Sequence, residues 1–325
     1  MSEPAAKDRN LSLELVRVTE ASALAAYRHM GSGDHMQADQ ASISAAKSVL
    51  DSLAIDGTIC VGEGRKGEAD KLFIDEKVGT GQGPEVDVAI VALEGASIVA
   101  RGGPNAISTV AMAEGGGFLK VPDIYMNKIA VGHGLPDGIV SLDREPEENL
   151  KALAKAKKVA VSDLVVCMLD RPRHGPLLEK VRAAGARIRL ILGGDVSAVI
   201  ATALPEGGID IYMGIGGAPQ GVLGAAALRC FGGQMQGRLF ARRDEDKVLA
   251  HDVGIKDFDQ LYTESDMASG NITFAATGVT YGALLNGIRT TRGGAASHSL
   301  VIRSLTGTYR YIEAHHDFTR RPPVG

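Results

Sequence analysis

Residues 164 to 221 constrain the fold of this chain most, because they show the same succession of elements three times. Each time, a short apolar segment is followed by a polar or glycine-rich segment and then by a helical pattern. The three pairs are "LVVCML" with "DRPRHG", "RIRLIL" with "GGD", and "IDIYM" with "GIGGAPQG". This succession is typical of parallel strands joined by helices, in which ligands bind outside the carboxyl ends of the strands. The sequence therefore predicts an α/β protein whose second half contains a doubly wound, mostly parallel sheet with one crevice at these ends.

The remaining segments predict a first half with a mixed sheet. Helices are expected from Asn10, as capping residue, to about Met30, and from about Gln37 to Ser52. The glycine-containing segment 105–122 reads as a hairpin, and further strands are expected at 57–61, 86–93, 272–280 and 298–313.

The charged helical segment 144–158 is the expected boundary between two halves. The resulting division is a flexible tail at 1–9, an N-terminal half at 10–150, a C-terminal half at 151–316, and a flexible tail at 317–325.

Composition argues against several kinds of partner. The net charge of −4 comes from 35 basic and 39 acidic residues, without a basic stripe or interleaved aromatics, so nucleic acid is not an expected partner. The chain has no apolar run near the roughly 18 residues that a membrane helix needs, and a cytoplasmic location is expected. The three cysteines, Cys60, Cys167 and Cys230, lie in apolar runs and are expected to be buried, reduced thiols.

Three acidic residues are candidates for a charged site. Asp39 falls on the apolar stripe of its predicted helix, although a first-turn aspartate also interacts favourably with the helix dipole. Glu63 and Glu94 each follow the end of a predicted strand beside glycine, where each could also be a solvated loop acid. Three such acids at the ends of inward-pointing elements favour a functional site.

A second group of candidates could bind an anion. Arg171 and Arg173 in "RPRH" come between a strand end and a helix, a position that suits a phosphate, although surface arginine pairs are also common. Tyr125 could contact a sugar or merely end a strand, and "GIGGAPQG" is a weak signal for a phosphate cradle. His174 is expected to pack or cap rather than catalyse.

Together these motifs resemble those of the bacterial class II fructose-1,6-bisphosphatases. The resemblance covers roughly residues 10 to 316 and is carried by "LELVRVTEASALAAYRHMG", "DGTICVGEG", "DEKVGTGQGPEVD", "PDIYMNKIAVG", "LDRPRHG", "GIGGAPQG" and "FAATGVT". It implies the layered αβαβα fold of metal-dependent, lithium-sensitive sugar phosphatases. It also implies a phosphorylated sugar substrate, hydrolysis of the 1-phosphate of fructose 1,6-bisphosphate and in some members of sedoheptulose 1,7-bisphosphate, and a homodimer or homotetramer.

The resemblance also shows where this chain departs from the family. The family's metal ligands match Asp39, Glu63, Val91, Glu94 and Gln220, of which Val91 and Gln220 carry no charge. The family signature D-P-x-[DE]-G-T reads "VALEGA" here, so that Val91, Ala92 and Ala96 replace Asp, Pro and Thr. His35 replaces a lysine and Gly193 an aspartate, whereas the substrate-contacting matches Tyr125, Arg171, Arg173, Asp195 and Gly217 remain.

The departures are expected to affect metal binding most. No cofactor is expected, and Mg²⁺ or Mn²⁺ only if the residual ligands Asp39, Glu63 and Glu94 function. Arg65 stands where the family has an acid, and its guanidinium is predicted to fold among these carboxylates in place of the metal, unless it lies in solvent.

Three functions follow from this comparison. The first is an enzyme that keeps the sugar-phosphate pocket and runs metal-independent chemistry, with Glu63, Glu94 or His35 as acid and base. The second is a weak or unconventional bisphosphatase, and the third is a noncatalytic sugar-phosphate sensor or partner subunit.

Overall fold

The computed structural model describes residues 11–320 and has an α/β fold with mixed sheets. Its helices are α1 Leu11–Tyr27, α2 His35–Leu50, α3 Ala96–Arg101, α4 Pro146–Lys157, α5 Gly175–Ala183, α6 Asp195–Ala201, α7 Ala218–Phe231, α8 Asp244–Asp252 and α9 Glu264–Met267. Its strands are β1 Asp56–Val61, β2 Lys77–Val78, β3 Glu85–Glu94, β4 Ile107–Glu114, β5 Tyr125–Val131, β6 Val165–Leu169, β7 Arg187–Ile191, β8 Ile211–Gly217, β9 Gln234–Phe240, β10 Tyr262–Thr263, β11 Thr273–Gly278, β12 Arg289–Thr291, β13 Gly294–Arg303 and β14 Thr308–Asp317. Asn10, the predicted cap of α1, lies outside the described residues.

The chain forms two compact units. Among the described residues, the first unit contains 11–117 and 270–320, and the second contains 118–269. The boundary expected near residue 150 therefore falls inside the second unit, where Leu150 and Leu153 of α4 belong to its hydrophobic core. The C-terminal strands return to the first unit because β11 pairs with β4 on one side and β13 on the other.

The first unit is built on an eight-stranded mixed sheet. Its order is β12-β13-β11-β4-β3-β1-β2, and β14 also pairs with β13. Strands β1 and β3 are parallel, whereas β3 and β4 are antiparallel. Leu15 and Val18 of α1 and Leu50 of α2 pack in one core with Ile59 and Ile90 of the sheet. Ser42 of α2 also donates to Ala92 O, so α2 lies against the end of β3.

The predicted hairpin at 105–122 is wrong. Only β4 forms a strand of this sheet there, and its partners are β3 and β11. After the glycines at 115–117 the chain enters the second unit, where Phe118 makes an isolated bridge with Ala268.

The second unit has a six-stranded sheet in the order β10-β9-β5-β8-β6-β7. Strands β7, β6 and β8 are parallel, as predicted for these three. Strand β5 lies between β8 and β9 and runs antiparallel to both, and β10 is antiparallel to β9. The sheet is therefore mixed rather than mostly parallel, because β5 comes from an earlier part of the chain and separates β8 from β9.

Two expectations from composition can be compared with the described residues. Among the helices of residues 11–320, none contains an apolar stretch of the length that spanning a bilayer requires. Cys60, Cys167 and Cys230 are buried and form no disulfide, which confirms the prediction for these thiols. Burial raises the pKa of Cys167 to about 12, so that thiol is unreactive.

Candidate functional site

Glu63 is fixed to the central strand of the first unit. It follows β1, and its Oε1 accepts a hydrogen bond from the backbone N–H of Ala92 in β3 at 2.9 Å. The carbonyl of Ala92 accepts hydrogen bonds from Ser22 of α1 and Ser42 of α2, both at 2.8 Å. Both polar groups of the Ala92 backbone therefore have partners, and proline at this position would remove the N–H that holds Glu63.

Glu94 and Val91 lie near the carboxyl end of β3. Glu94 is the last residue of this strand and is only 4% exposed, and Val91 is 6% exposed. Gly95 follows with φ of +100°, a left-handed conformation that glycine adopts without strain, and the chain turns directly into α3. The strand end thus buries a carboxylate and presents an isopropyl group where the family signature has an aspartate.

Asp39 and His35 lie one turn apart on α2. Asp39 is partly buried, and this desolvation raises the pKa of its carboxyl, against a smaller lowering by His35. His35 is exposed as the first residue of the helix. A carboxyl with a raised pKa is suited to proton transfer closer to neutral pH than an ordinary aspartate.

Arg65 makes an ion pair with a neighbour in its own loop. Its Nη2 donates to Glu68 Oε1 at 2.7 Å, and its backbone N–H donates to Glu68 Oε2 at 3.3 Å. This pairing lowers the pKa of Glu68. At least one guanidinium nitrogen is thus engaged by Glu68, and the placement of Arg65 among the other carboxylates stays a prediction.

The residues that the resemblance matches to the family's metal ligands are not all acidic. Among the described residues 11–320, no group of three or more His, Cys, Asp or Glu side chains could hold a metal ion. Val91 offers no ligand atom, and Gln220 offers only a neutral amide oxygen. Gln220 belongs to α7 in the second unit, where a Cβ on Gly217 would lie 1.8 Å from its Oε1.

In the second unit, two guanidinium groups lie over the ring of Tyr125. The Arg173 Cζ is 4.6 Å from the centre of the tyrosine ring, and the Arg242 Cζ is 4.4 Å from it. Arg242 also donates to the buried Asp246, and this hydrogen bond raises the pKa of Arg242. The three side chains form a positively charged cluster in which the ring orients both arginines.

Arg171 and Arg173 are both anchored on backbone carbonyls at the ends of the parallel strands. Arg171 donates to Asp170 O at 2.8 Å and to Leu192 O at 2.6 Å. Arg173 donates through Nε and Nη2 to Ile215 O at 3.0 and 2.7 Å. These partners are neutral carbonyls rather than carboxylates, and the three strand ends lie together as predicted.

Asp195 lies in a buried ion pair. Lys128 is 1% exposed and donates to Asp195 Oδ2, and it also donates to Gly217 O at 2.9 Å. This lysine links β5, the start of α6 and the end of β8. Asp195 and Gly217 therefore share one buried cation beside Tyr125, which pairs with Gly217 in the sheet.

Sequence reasoning did not identify Arg242 and Lys128. Arg242 comes two residues after β9 and four residues before Asp246, which is a spacing typical of helical ion pairs. Lys128 lies within the quoted motif "PDIYMNK", where a charged residue inside a predicted strand was the available signal.

Comparisons with known proteins agree with this architecture. The family model described as "Bacterial fructose-1,6-bisphosphatase, glpX-encoded" matches residues 9–316. The D-fructose 1,6-bisphosphatase class 2/sedoheptulose 1,7-bisphosphatase of Synechococcus sp. (strain JA-2-3B'a(2-13)) is 38% identical over 343 residues, covering 98% of this chain and 99% of that protein. The fructose-1,6-bisphosphatase 1 class 2 of Escherichia coli (strain K12) is 39% identical over 329 residues, covering 97% of each chain. This chain therefore belongs to the bacterial class II fructose-1,6-bisphosphatase family.

Proposed function

We propose that this protein binds a phosphorylated sugar and transforms it by acid–base chemistry that needs no divalent metal. The observation that carries the proposal is the hydrogen bond from Ala92 N–H to Glu63, next to Val91. In the family signature the position of Ala92 is proline, which has no N–H. The position of Val91 is aspartate, which would be a metal ligand. Here the protein itself supplies a partner for Glu63, and one anionic ligand is missing.

The second unit supports sugar-phosphate binding. Arg171, Arg173 and Arg242 bring three permanent positive charges to one end of the sheet, and each is held in place by carbonyls, a tyrosine ring or a carboxylate. Preorganised guanidinium forks bind phosphate bidentately at low entropic cost. Asp195 and Tyr125 add polar groups for sugar hydroxyls, so the proposed ligand is a sugar phosphate rather than phosphate alone.

The first unit supplies the proposed acid and base. Glu63 and Glu94 are the carboxylates assigned these roles, and the exposed His35 is the alternative proton donor. Arg65 is proposed to stabilise negative charge near them in place of a metal. Isomerisation needs such proton transfers and charge stabilisation, elimination also releases a leaving group, and transfer also needs an acceptor for the transferred group; no step is assigned to a metal ion.

A turnover screen tests the proposal. Sugar mono- and bisphosphates are incubated with the protein, with EDTA or with Mg²⁺ or Mn²⁺, and products are identified by ³¹P and ¹³C NMR. We expect conversion that EDTA does not remove and that Glu63→Gln lowers at least about a hundredfold, which is the usual contribution of general acid–base catalysis. Glu147→Gln is the matched control, because Glu147 pairs with Lys151 on α4 and more than half of its side chain is exposed.

The family relationship favours a second candidate, a slow bisphosphatase. The two relatives named above are called fructose-1,6-bisphosphatases, and one of them also a sedoheptulose-1,7-bisphosphatase. Without the metal contribution, we expect phosphate release from fructose 1,6-bisphosphate at least roughly a thousandfold below an ordinary enzyme. Metal-dependent turnover in the common range of about 1 to 1,000 per second contradicts the metal-independent proposal. Binding without any turnover contradicts both candidates and indicates a sensor.

The proposal extends to location and assembly. We place the protein in the cytoplasm, as an enzyme of carbohydrate metabolism, and expect a homodimer or homotetramer, as the family resemblance implies. Light scattering coupled to gel filtration measures the assembly, and a monomer contradicts that part of the proposal.

A further inference from the structure

We propose that the cavity at the amino-terminal ends of β6, β7 and β8 is an accessory binding site for a small organic phosphate. The cavity has a volume of about 450 Å³ and lies entirely within the second unit. Val165, Arg187, Ile209 and Asp210 line it from the beginnings of these three strands. Tyr125 and Gly217 pair at the other end of the sheet, seven residues along β8, which is roughly 20 Å away.

The charges that line the cavity favour an anion. Lys157, Arg187 and Arg189 contribute three positive charges and His133 an imidazole ring, whereas Asp210 is the one acid in the lining. Asp210 pairs with Lys157. Within residues 11–320, neither arginine has a carboxylate partner, so the cavity keeps two uncompensated positive charges.

The two arginines are placed to act together. They are two residues apart on the edge strand β7, so their side chains leave the same face about 7 Å apart. Arg187 donates to Asp163 O, and Arg189 Nη1 donates to Gly207 O at 3.4 Å. A guanidinium has five N–H donors, and each arginine uses one of them in these contacts. The remaining donors are available for bidentate contacts to phosphate oxygens.

The size of the cavity indicates more than a single inorganic ion. Sites for small molecules commonly enclose about 300 to 1,000 Å³, and this cavity falls within that range. Thr202, Ala203, Leu204 and Pro205 form the less polar part of its wall, which suits the carbon portion of an organic phosphate. Ligands of open α/β sheets that take part in the chemistry bind at the carboxyl ends of the strands, so this site is accessory rather than catalytic.

Calorimetric titration of the full chain with inorganic phosphate and with glycerol phosphate tests the site. The protein carries Arg171→Gln and Arg173→Gln, which weaken the phosphate site proposed for function, so the two proposals fail independently. We expect glycerol phosphate to bind this protein, and further Arg187→Gln and Arg189→Gln substitutions to weaken binding at least about tenfold. Arg182→Gln, at an exposed arginine of α5 outside the cavity, is the matched control and leaves the affinity unchanged.

Several outcomes overturn the proposal. One is no binding of glycerol phosphate in the Arg171→Gln, Arg173→Gln background. Another is an affinity that the two further substitutions leave unchanged. Equal affinity for inorganic phosphate and glycerol phosphate overturns the assignment of an organic ligand. Arg189→Gln alone, at an exposed position on an edge strand, provides the same comparison if the multiple variant unfolds.

Discussion

His174 and Arg173 hold the peptide group of Ile215 from its two sides. His174 Nε2 accepts a hydrogen bond from Ile215 N–H at 2.8 Å, while Arg173 donates two hydrogen bonds to Ile215 O. The other ring nitrogen of His174, Nδ1, donates to Leu169 O at 2.7 Å. A neutral imidazole therefore connects the ends of β6 and β8 and positions the arginine that faces Tyr125.

The first prediction concerns replacement of His174 by alanine. The substitution leaves Ile215 N–H and Leu169 O without these partners, and we expect a loss of about 1–3 kcal/mol in the free energy of unfolding. We also expect weaker phosphate binding, because Ile215 anchors Arg173. Urea titration followed by circular dichroism and calorimetric titration with phosphate measure the two effects. Unchanged phosphate affinity in a folded variant contradicts the positioning role.

The same histidine predicts a pH dependence. Burial lowers the pKa of His174 below its ordinary 6.5, so the unfolded state binds its proton more readily. The stability that His174 contributes is complete above 6.5 and is lost as pH falls toward the lowered value in the folded protein. Wild type and His174→Ala should therefore converge in stability as pH falls below 6.5.

The second prediction concerns the buried pair of Lys128 and Asp195. Lys128→Met leaves the carboxylate of Asp195 buried without its cation, and we expect a loss of about 3–5 kcal/mol in the free energy of unfolding. Lys151→Met is the matched control, because Lys151 and Glu147 are both more than half exposed, and it should cost less than about 1 kcal/mol.

Adding Asp195→Leu to Lys128→Met tests the reason for this loss. If loss of the lysine charge beside the buried carboxylate causes the instability, the double variant regains part of the lost stability. A double variant that is less stable than Lys128→Met contradicts the explanation. Urea titration of all four proteins supplies the comparison.

Local sequence patterns were sufficient to predict much of the fold and not its long-range pairings. The three strands β6, β7 and β8 were predicted within a few residues, because each has a short apolar run bounded by polar or glycine residues. The strands that pair with β5 could not be predicted from local patterns, since its partner residues come 80 to 115 positions later in the chain. The glycines at 115–117 have the composition of a hairpin turn, although the chain there leaves the first sheet.

The residues of the candidate site also fall into two groups: those that local motifs indicate and those that depend on contacts with distant parts of the chain. Arg171, Arg173 and Tyr125 could be proposed from motifs, because their roles depend on adjacent strand ends. Arg242 was missed because its role depends on a ring 117 positions earlier in the chain, and Lys128 because its partner lies 67 residues away. The hydrogen bond between Glu63 and Ala92 also needed coordinates, since no sequence pattern states where a side-chain oxygen lies.

The third prediction concerns Glu20, a buried carboxyl on α1. Ser297 donates to Glu20 Oε1 at 3.0 Å and also contacts His316 Nε2 at 2.8 Å. Burial raises the pKa of Glu20 above its ordinary 4.5, against smaller lowering effects of Ser297 and Arg17. The stability that protonated Glu20 contributes is therefore complete below pH 4.5 and is lost as the pH rises through the raised pKa of the folded protein.

Glu20→Gln removes this titration while keeping the size of the side chain. We expect the thermal midpoint of Glu20→Gln to rise relative to that of wild type as the pH increases from about 4.5 to neutral. Glu14→Gln is the control on the same helix, because about a third of the Glu14 side chain is exposed, and its difference from wild type should change little with pH. A difference in thermal midpoint between Glu20→Gln and wild type that stays constant with pH contradicts a raised pKa of Glu20.

The fourth prediction concerns the two positions where β3 departs from the family signature. The backbone N–H of Ala92 donates to Glu63, and Val91 contributes no carboxylate at the position where the family signature has aspartate. Val91→Asp with Ala92→Pro removes that N–H and adds a carboxylate, which restores the aspartate and proline of the signature. Ala92 is not part of the recorded β3–β4 register, which shifts between Val91 and Glu94, so proline there removes no pair of this ladder. We expect Mn²⁺ to bind the double variant at least about tenfold more tightly than wild type, as measured by electron paramagnetic resonance.

Val91→Asn with Ala92→Pro is the matched control, because asparagine has the size of aspartate and adds no charge. This control should bind Mn²⁺ no better than wild type. Equal Mn²⁺ binding by both variants would show that the added carboxylate is not what the site lacks, and tight Mn²⁺ binding by wild type would return the protein to the metal-dependent mechanism of its relatives.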